Sequence, residues 1–175
     1  RCCQDELIES GLFQLSGKVY SDQDMLDHAK ENTRWLREVL SDDVKIGLEN
    51  NNYYPTPAYD IVTDGVFITK LINQSNLYLL LDIAHAMVTA HNQQITYQDY
   101  IMSLPLDNLI QLHICKPLLP VGKTAQDAHD EPNTEMINEV IRLISEFPQI
   151  KYLTVEFYKD KDVLVKSLNS IRSRL

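Results

Sequence analysis

Four short, apolar, β-rich runs separated by stretches of helical periodicity constrain this chain more than any other feature. They fall at residues 44–49, 77–83, 109–114 and 152–157. Strands joined through helical crossovers must run parallel, so the expected class is α/β. The run at 77–83 is almost continuously apolar, as a strand covered on both faces would be. Between the runs, Ser21 and Asp24 have capping-box spacing, with an Asp standing in for the usual Glu. Leu26, Ala29, Thr33, Leu36 and Leu40 then share one helical face. Thr56 before Pro57 opens a second helix that carries Tyr59, Val62, Val66 and Leu71 to about Asn73, with Gly65 weakening it. A short helix is expected at 97–102, closed by Leu104 and Pro105. Thr134 is expected to cap a helix faced by Ile137, Val140, Ile141, Ile144 and Phe147 and stopped by Pro148. Asp160 is expected to cap a last helix carrying Leu164, Leu168, Ile171 and Leu175. Residues 116–133 read as a long polar loop, a candidate functional segment.

Charge narrows the partners. Sixteen Lys and Arg against 25 Asp and Glu give a net charge of −9. Such a chain repels phosphate backbones and attracts divalent cations, so no nucleic-acid partner is expected. No apolar run approaches the ~20 residues that cross a bilayer, so no membrane partner is expected either. With 44% apolar residues over 175 positions, the chain can bury an ordinary core. Residues 1–175 are read as a single domain or part of a larger one. The chain opens on Arg1 with no visible signal peptide, the expectation being an N-terminus that is trimmed or incomplete. Cys2, Cys3 and Cys115 make an odd count with no framework spacing and read as reduced thiols of a cytoplasmic protein.

In parallel α/β sheets, chemistry gathers at the C-terminal strand ends. Glu49 ends the first run. Asp82 ends the second, with His85 three residues on, while His113 lies near the end of the third and Glu156 in the fourth. The polar loop adds Asp127 and His129. Carboxylates and imidazoles arriving together suit borderline divalent metals such as iron, manganese or zinc. Each residue also has a plainer role open to it. Glu49 could cap a loop, His85 could be a core histidine, and Asp127 and His129 could be surface residues. Asp82 is harder to explain away, because burying an unpartnered carboxylate is costly. His28 and His91 are left as structural or solvated. Cys115 is read as pointing to the face opposite His113 and is left out of the set.

The segments Leu48 to Asn50, Leu79 to His85, Thr89 to Asn92, Gln111 to Ile114, Asp127 to Asp130 and Thr154 to Glu156 recur in an order and spacing that resembles a known family. It is that of the multinuclear non-haem iron-dependent oxidases, formerly DUF692, which includes the iron oxidase of methanobactin biosynthesis. The resemblance runs from about Val19 to Leu168. It implies a xylose-isomerase-like TIM barrel, (β/α)8-like, of which this chain would be the C-terminal portion or a diverged remnant. It matches Glu49, Asp82, His113 and Glu156 to iron-binding positions, and Asp127 and His129 to an Asp-x-His pair. At His85 the family often carries Asn, so the donor differs there. Two further family histidines lie upstream of the helix matching residues 22–40, and residues 1–20 hold none. An eight-stranded barrel takes ~250 residues, so closure from this length alone is not expected.

The resemblance implies an oxidase holding two or three iron ions, with manganese or zinc as alternatives. It would modify cysteine in a ribosomally made peptide, one iron holding the substrate thiolate while another activates oxygen. A small partner protein that binds the peptide's leader is implied as well. Two rivals stand beside this reading: a xylose-isomerase-like metal-dependent sugar isomerase or epimerase, and a non-catalytic diverged barrel that acts as a binding protein.

Overall fold

The computed structural model describes residues 3–9 and 12–175, with side chains from residue 17 onward. Cys2 and the side chain of Cys3, read above as reduced thiols, lie outside the described residues. Strands β1 (Cys3–Glu9) and β2 (Leu12–Val19) form an antiparallel hairpin. The long helix α1 (Asp22–Val39) follows from a complete capping box: Ser21 Oγ accepts from Asp24 N, and the Asp24 carboxylate accepts from Ser21 N.

Four strands build the central sheet: β3 (Gly47–Glu49), β4 (Tyr78–Asp82), β5 (Leu109–Ile114) and, later in the chain, β8 (Tyr152–Val155). Their order is β3-β4-β5-β8 and every neighbouring pair is parallel. Between them run α2 (Pro57–Asp60), α3 (Gly65–Ser75), α4 (Ile83–Gln93) and α5 (Tyr97–Met102), and α6 (Thr134–Glu146) precedes β8. Helix α7 (Lys161–Arg172) closes the chain. This is an α/β fold with a parallel sheet and flanking helices, the arrangement of a (β/α)-barrel arc.

Register explains the two faces of the sheet. Leu48 pairs with Leu79, Leu81 with Leu112, and Leu112 with Leu153. These side chains pack with Leu26 of α1, Ile68 and Ile72 of α3, Ala86 and Ala90 of α4, and Val140 and Leu143 of α6 in one core. Asp82 pairs with His113 on the alternate positions. A strand's period of two therefore sends the leucines to the helices and the ionisable groups to the other face. Fully burying a leucine contributes ~2 kcal/mol, so a one-residue register slip would be strongly opposed.

Several expectations are corrected. The first strand begins at Gly47, not at 44. The second stops at Asp82, which caps α4, a helix not expected from the sequence. Buried residues surround α4 on several sides (Ile83, Ala84, Ala86, Val88, Thr89 and Ala90), so no apolar stripe marks it. His91 therefore lies in its last turn and not beyond a strand end. The helix expected from Pro57 to Asn73 is broken. Asp64 accepts from Phe67 N and starts α3 anew at Gly65. A Cβ on Gly65 would stand 2.3 Å from Ser103 Oγ, so glycine permits a close approach there. Residues 116–133 are not one loop, because β6 (Lys116–Leu118) and β7 (Gln126–Asp130) pair antiparallel within them. Asn133, not Thr134, caps α6. Leu175 lies past α7 and is exposed.

Candidate metal centre

The strand ends are tied together before any ionisable group is considered. Asn50, just past β3, is 1% exposed. Its side-chain oxygen accepts from Asp82 N at 2.8 Å, and its amide donates to Asp82 O at 3.1 Å. Thr89 and Asn92 of α4 fix the neighbouring loops. Thr89 Oγ1 accepts from Tyr53 N at 2.9 Å. The Asn92 amide donates to Tyr53 O at 2.7 Å, and its oxygen accepts from Ala125 N at 2.7 Å. Buried backbone groups at the strand ends thus find partners that no strand supplies.

On this frame, one ligand atom each from Glu49, Asp82, His113 and Glu156 comes within 4.8 Å of all the others. Glu49 Oε1 lies 3.1 Å and Glu156 Oε1 2.9 Å from His113 Nδ1. Asp82 is fully buried. Its Oδ1 accepts from His85 N as the α4 cap, while Oδ2 is buried with no hydrogen-bond partner. Burial holds its carboxyl above the usual range.

A second group adjoins the first. One atom each from Cys115, His129 and Glu156 also lies within 4.8 Å of the others, so Glu156 belongs to both groups. Asp127 links the two. Its Oδ2 is 2.7 Å from His129 Nε2 and 3.4 Å from His85 Nε2, and its Oδ1 accepts from Cys115 Sγ at 3.2 Å. His129 turns back toward Asp127 with φ +46°, a left-handed backbone that costs ~1 kcal/mol in an ordinary residue. All seven residues singled out from the sequence thus gather at one end of the sheet.

Cys115 requires a correction. It stands two residues after His113, and a period of two returns it to the same side instead of the opposite one. Asn50, Thr89 and Asn92 are further site residues for which the sequence suggested no role. Polar side chains beside strand ends were the available signal, but their partners lie 32 to 39 positions away. His28 is exposed and meets Tyr20 edge-to-face at 5.1 Å, and His91 Nε2 donates to Lys123 O at 3.0 Å.

Without a cation the cluster is held by protons. Burial would lower the His85 pKa, but the Asp127 hydrogen bond, Asp82, the Asn50 carbonyl and Glu49 outweigh it and push it up to about 9. Burial likewise opposes a charge on His113, and the Glu49 hydrogen bond with the Glu156 charge raises its pKa nonetheless. Burial would raise Asp127, yet hydrogen bonds from His85 and Cys115 and the His129 charge bring it down to about 2. The His113 hydrogen bond lowers Glu49. Burial, then Asp127, keep the Cys115 thiol protonated.

The donor set fits a metal. Nδ1 of His85 donates to Asn50 O at 2.8 Å, which in the neutral imidazole leaves the Nε2 lone pair on the Asp127 side. The unpartnered Asp82 oxygen is the kind of buried acceptor that a cation compensates. A cavity of about 520 Å³, lined by Tyr20, Met25, Leu48 and Phe67 among others, opens beside Glu49.

Over residues 18–167 the chain matches the family described as "RiPP precursor modification enzyme MbnB/TglH/ChrH", enzymes that act on ribosomally made peptide precursors. The chain belongs to this family. Among curated relatives, a "UPF0276 protein" of Caulobacter vibrioides is 31% identical over 90 residues, 49% of this chain and 30% of that protein. A "UPF0276 protein" of Shewanella loihica is 26% identical over 98 residues, covering 56% of this chain and 34% of the relative. One from Acaryochloris marina is 30% identical over 70 residues, 40% and 25% of the two chains. The matched segments thus span about a third or less of the length of these relatives. Among the described residues, no helix is long and apolar enough to cross a membrane.

Proposed function

We propose that this chain supplies a metal centre of an iron-dependent oxidase that modifies cysteine in a ribosomally made peptide. The observation that carries the reading is Glu156, common to two adjacent donor groups, because a shared carboxylate suits neighbouring ions in a multinuclear site. Glu49, Asp82, His113 and Glu156 would hold one ion. Asp127, His129 and His85 would complete the neighbouring coordination, giving two or three ions in all. Mixed carboxylate and imidazole donors suit iron, manganese or zinc, and the resemblance to iron-dependent oxidases favours iron among them. When bound, iron supplies a Lewis-acidic, redox-active centre for a peptide thiolate and for oxygen.

The chain's own residues orient and protect this chemistry. Asn50 fixes Asp82, and the Asn50 carbonyl fixes the His85 ring. Protons held by His85 and His113 leave as a metal enters, so affinity should fall as pH drops. The cavity beside Glu49 offers Met25, Leu48 and Phe67 to an apolar peptide side chain. In this reading the sheet is the C-terminal arc of a TIM barrel within one domain, working in the cytoplasm with a small leader-binding partner protein. Family membership favours a peptide substrate over the sugar of an isomerase.

The test is elemental analysis of the complete native protein purified without oxygen, followed by oxygen uptake with a cysteine-containing precursor peptide. Two or more iron atoms per chain and peptide-dependent uptake are expected. Stoichiometric metal without oxygen uptake would turn the reading toward the isomerase, and no metal at all toward the binding protein.

A further inference from the structure

We propose that Cys115 is a metal ligand, forming with His129 and Glu156 a sulfur-containing position beside the one built by Glu49, Asp82 and His113. The inference rests on the reading above that the cluster takes metal, and it changes the chemistry of one position within it.

Three donors of different kinds arrive from three places in the chain. Cys115 directly follows β5, His129 lies in β7, and Glu156 directly follows β8. Their ligand atoms lie within 4.8 Å of one another. Sulfur bonds a borderline divalent ion at about 2.3 Å and nitrogen or oxygen at about 2.0–2.2 Å, so donors around one tetrahedral ion stand about 3.5 Å apart. Separations of no more than 4.8 Å close to that spacing by rotation of the side chains.

Location supports the assignment. Cys115 is 0% exposed, yet its thiol does not face the hydrocarbon core alone; it donates to Asp127 Oδ1 at 3.2 Å. Asp127 in turn contacts His129 at 2.7 Å and His85 at 3.4 Å. The sulfur therefore abuts the donor cluster. Glu156 is shared with the group that contains Asp82, whose buried Oδ2 has no partner. A cation in each group would engage both the thiol and the carboxylates.

Ligation breaks the S–H bond, forms a sulfur–metal bond and releases one proton to solvent, with no change of oxidation state. Thiolate beside imidazole and carboxylate selects Fe²⁺, Co²⁺ or Zn²⁺ over Mg²⁺ or Ca²⁺. It also places a protein sulfur on one ion of a centre proposed to bind a substrate sulfur, which would make the two positions electronically unlike.

The experiment uses the complete native protein, stripped of metal and titrated anaerobically with Co²⁺. Bound cobalt and the near-ultraviolet thiolate-to-cobalt absorption are both read. Wild type should show the thiolate band. Cys115→Ala should abolish it and bind one cobalt fewer per chain, while Cys115→Ser should abolish it with little change in fold. Stoichiometric cobalt without the band in wild type would overturn the role of Cys115 and leave the metal-centre reading standing. A band that survives in Cys115→Ser would overturn it too, by assigning the sulfur elsewhere. No cobalt bound at all would overturn both. Should Cys115→Ala fail to fold, the wild-type band and the near-isosteric serine variant still decide.

Discussion

Asn50 holds Asp82 by both of its backbone groups, accepting from its N–H at 2.8 Å and donating to its carbonyl at 3.1 Å. One side chain at the end of β3 thus replaces the ladder partner that β4 loses where α4 begins. Asn50→Ala would leave the buried Asp82 N–H unpaired and strip its carbonyl, which also starts α4, of one donor, at a cost of about 2 kcal/mol. A melting temperature lowered by several degrees is expected, together with reduced metal content, because Asp82 loses its anchor. Unchanged melting would show that water replaces the amide freely.

Asp82 trades stability for binding. Its pKa is raised by burial, so its ionisation disfavours the folded state at neutral pH. Asparagine keeps the α4 cap and removes the desolvated charge. Asp82→Asn should therefore stabilise the metal-free protein by about 1 kcal/mol while lowering its metal content. Calorimetry of the metal-free form beside elemental analysis of the loaded one reads both effects; a destabilised variant would contradict the argument.

The shared carboxylate predicts unequal losses of metal. Glu156→Gln touches both donor groups, whereas Glu49→Gln and His113→Ala touch one. The first should lose more bound metal than either of the others. His91→Ala removes a ring that bonds the Lys123 carbonyl outside the cluster, and bound metal should stay at the wild-type level. Equal losses from the Glu156 and Glu49 variants would refute the sharing.

Protonation predicts a pH window. The His85 pKa rises from 6.5 to about 9 in the fold. A raised folded pKa gives stability that is fully present below the unfolded value and is lost as pH climbs through the folded one. The metal-free protein should therefore lose stability between pH 6.5 and about 9. His85→Asn should flatten that slope, and thermal melts across the range check it. Asp127, lowered from 3.8 to about 2, acts in the opposite direction, with its contribution lost as pH falls through that window.

Helix packing away from the site supplies an independent test. An added Cβ at Gly65 would stand 2.3 Å from Ser103 Oγ and 2.7 Å from Ser103 O. Gly65→Ala should destabilise by about 1–3 kcal/mol through overpacking, despite alanine's better helix propensity. Gly65→Ala with Ser103→Gly should recover part of the loss. A stabilised single variant, read by chemical denaturation, would contradict the close approach.

Local signals carried much of the architecture. The β-rich runs at 109–114 and 152–157, the latter a strand only as far as Val155, capping residues such as Ser21 and Asp160, and helical spacing in α6 depend on a few adjacent positions, so they are legible in the chain. They imply parallel strands and a row of ionisable groups at the strand ends. Helix α4 escaped because its small and apolar residues are buried on several sides and give no stripe. The β6–β7 hairpin escaped because polar residues there are held by cross-strand hydrogen bonds and not by an alternating apolar pattern.

The sequence by itself determined which donors the strand ends would carry, since a strand's period and its terminus follow from neighbouring residues. Only the tertiary structure decided which of them meet. Asn50 reaches Asp82 across 32 positions, Glu49 reaches His113 across 64, and the Cys115 thiol reaches Asp127 because a hairpin doubles back. Such contacts depend on strand order, register and loop path, which are set by the packing of the whole sheet against its helices and not by any local pattern.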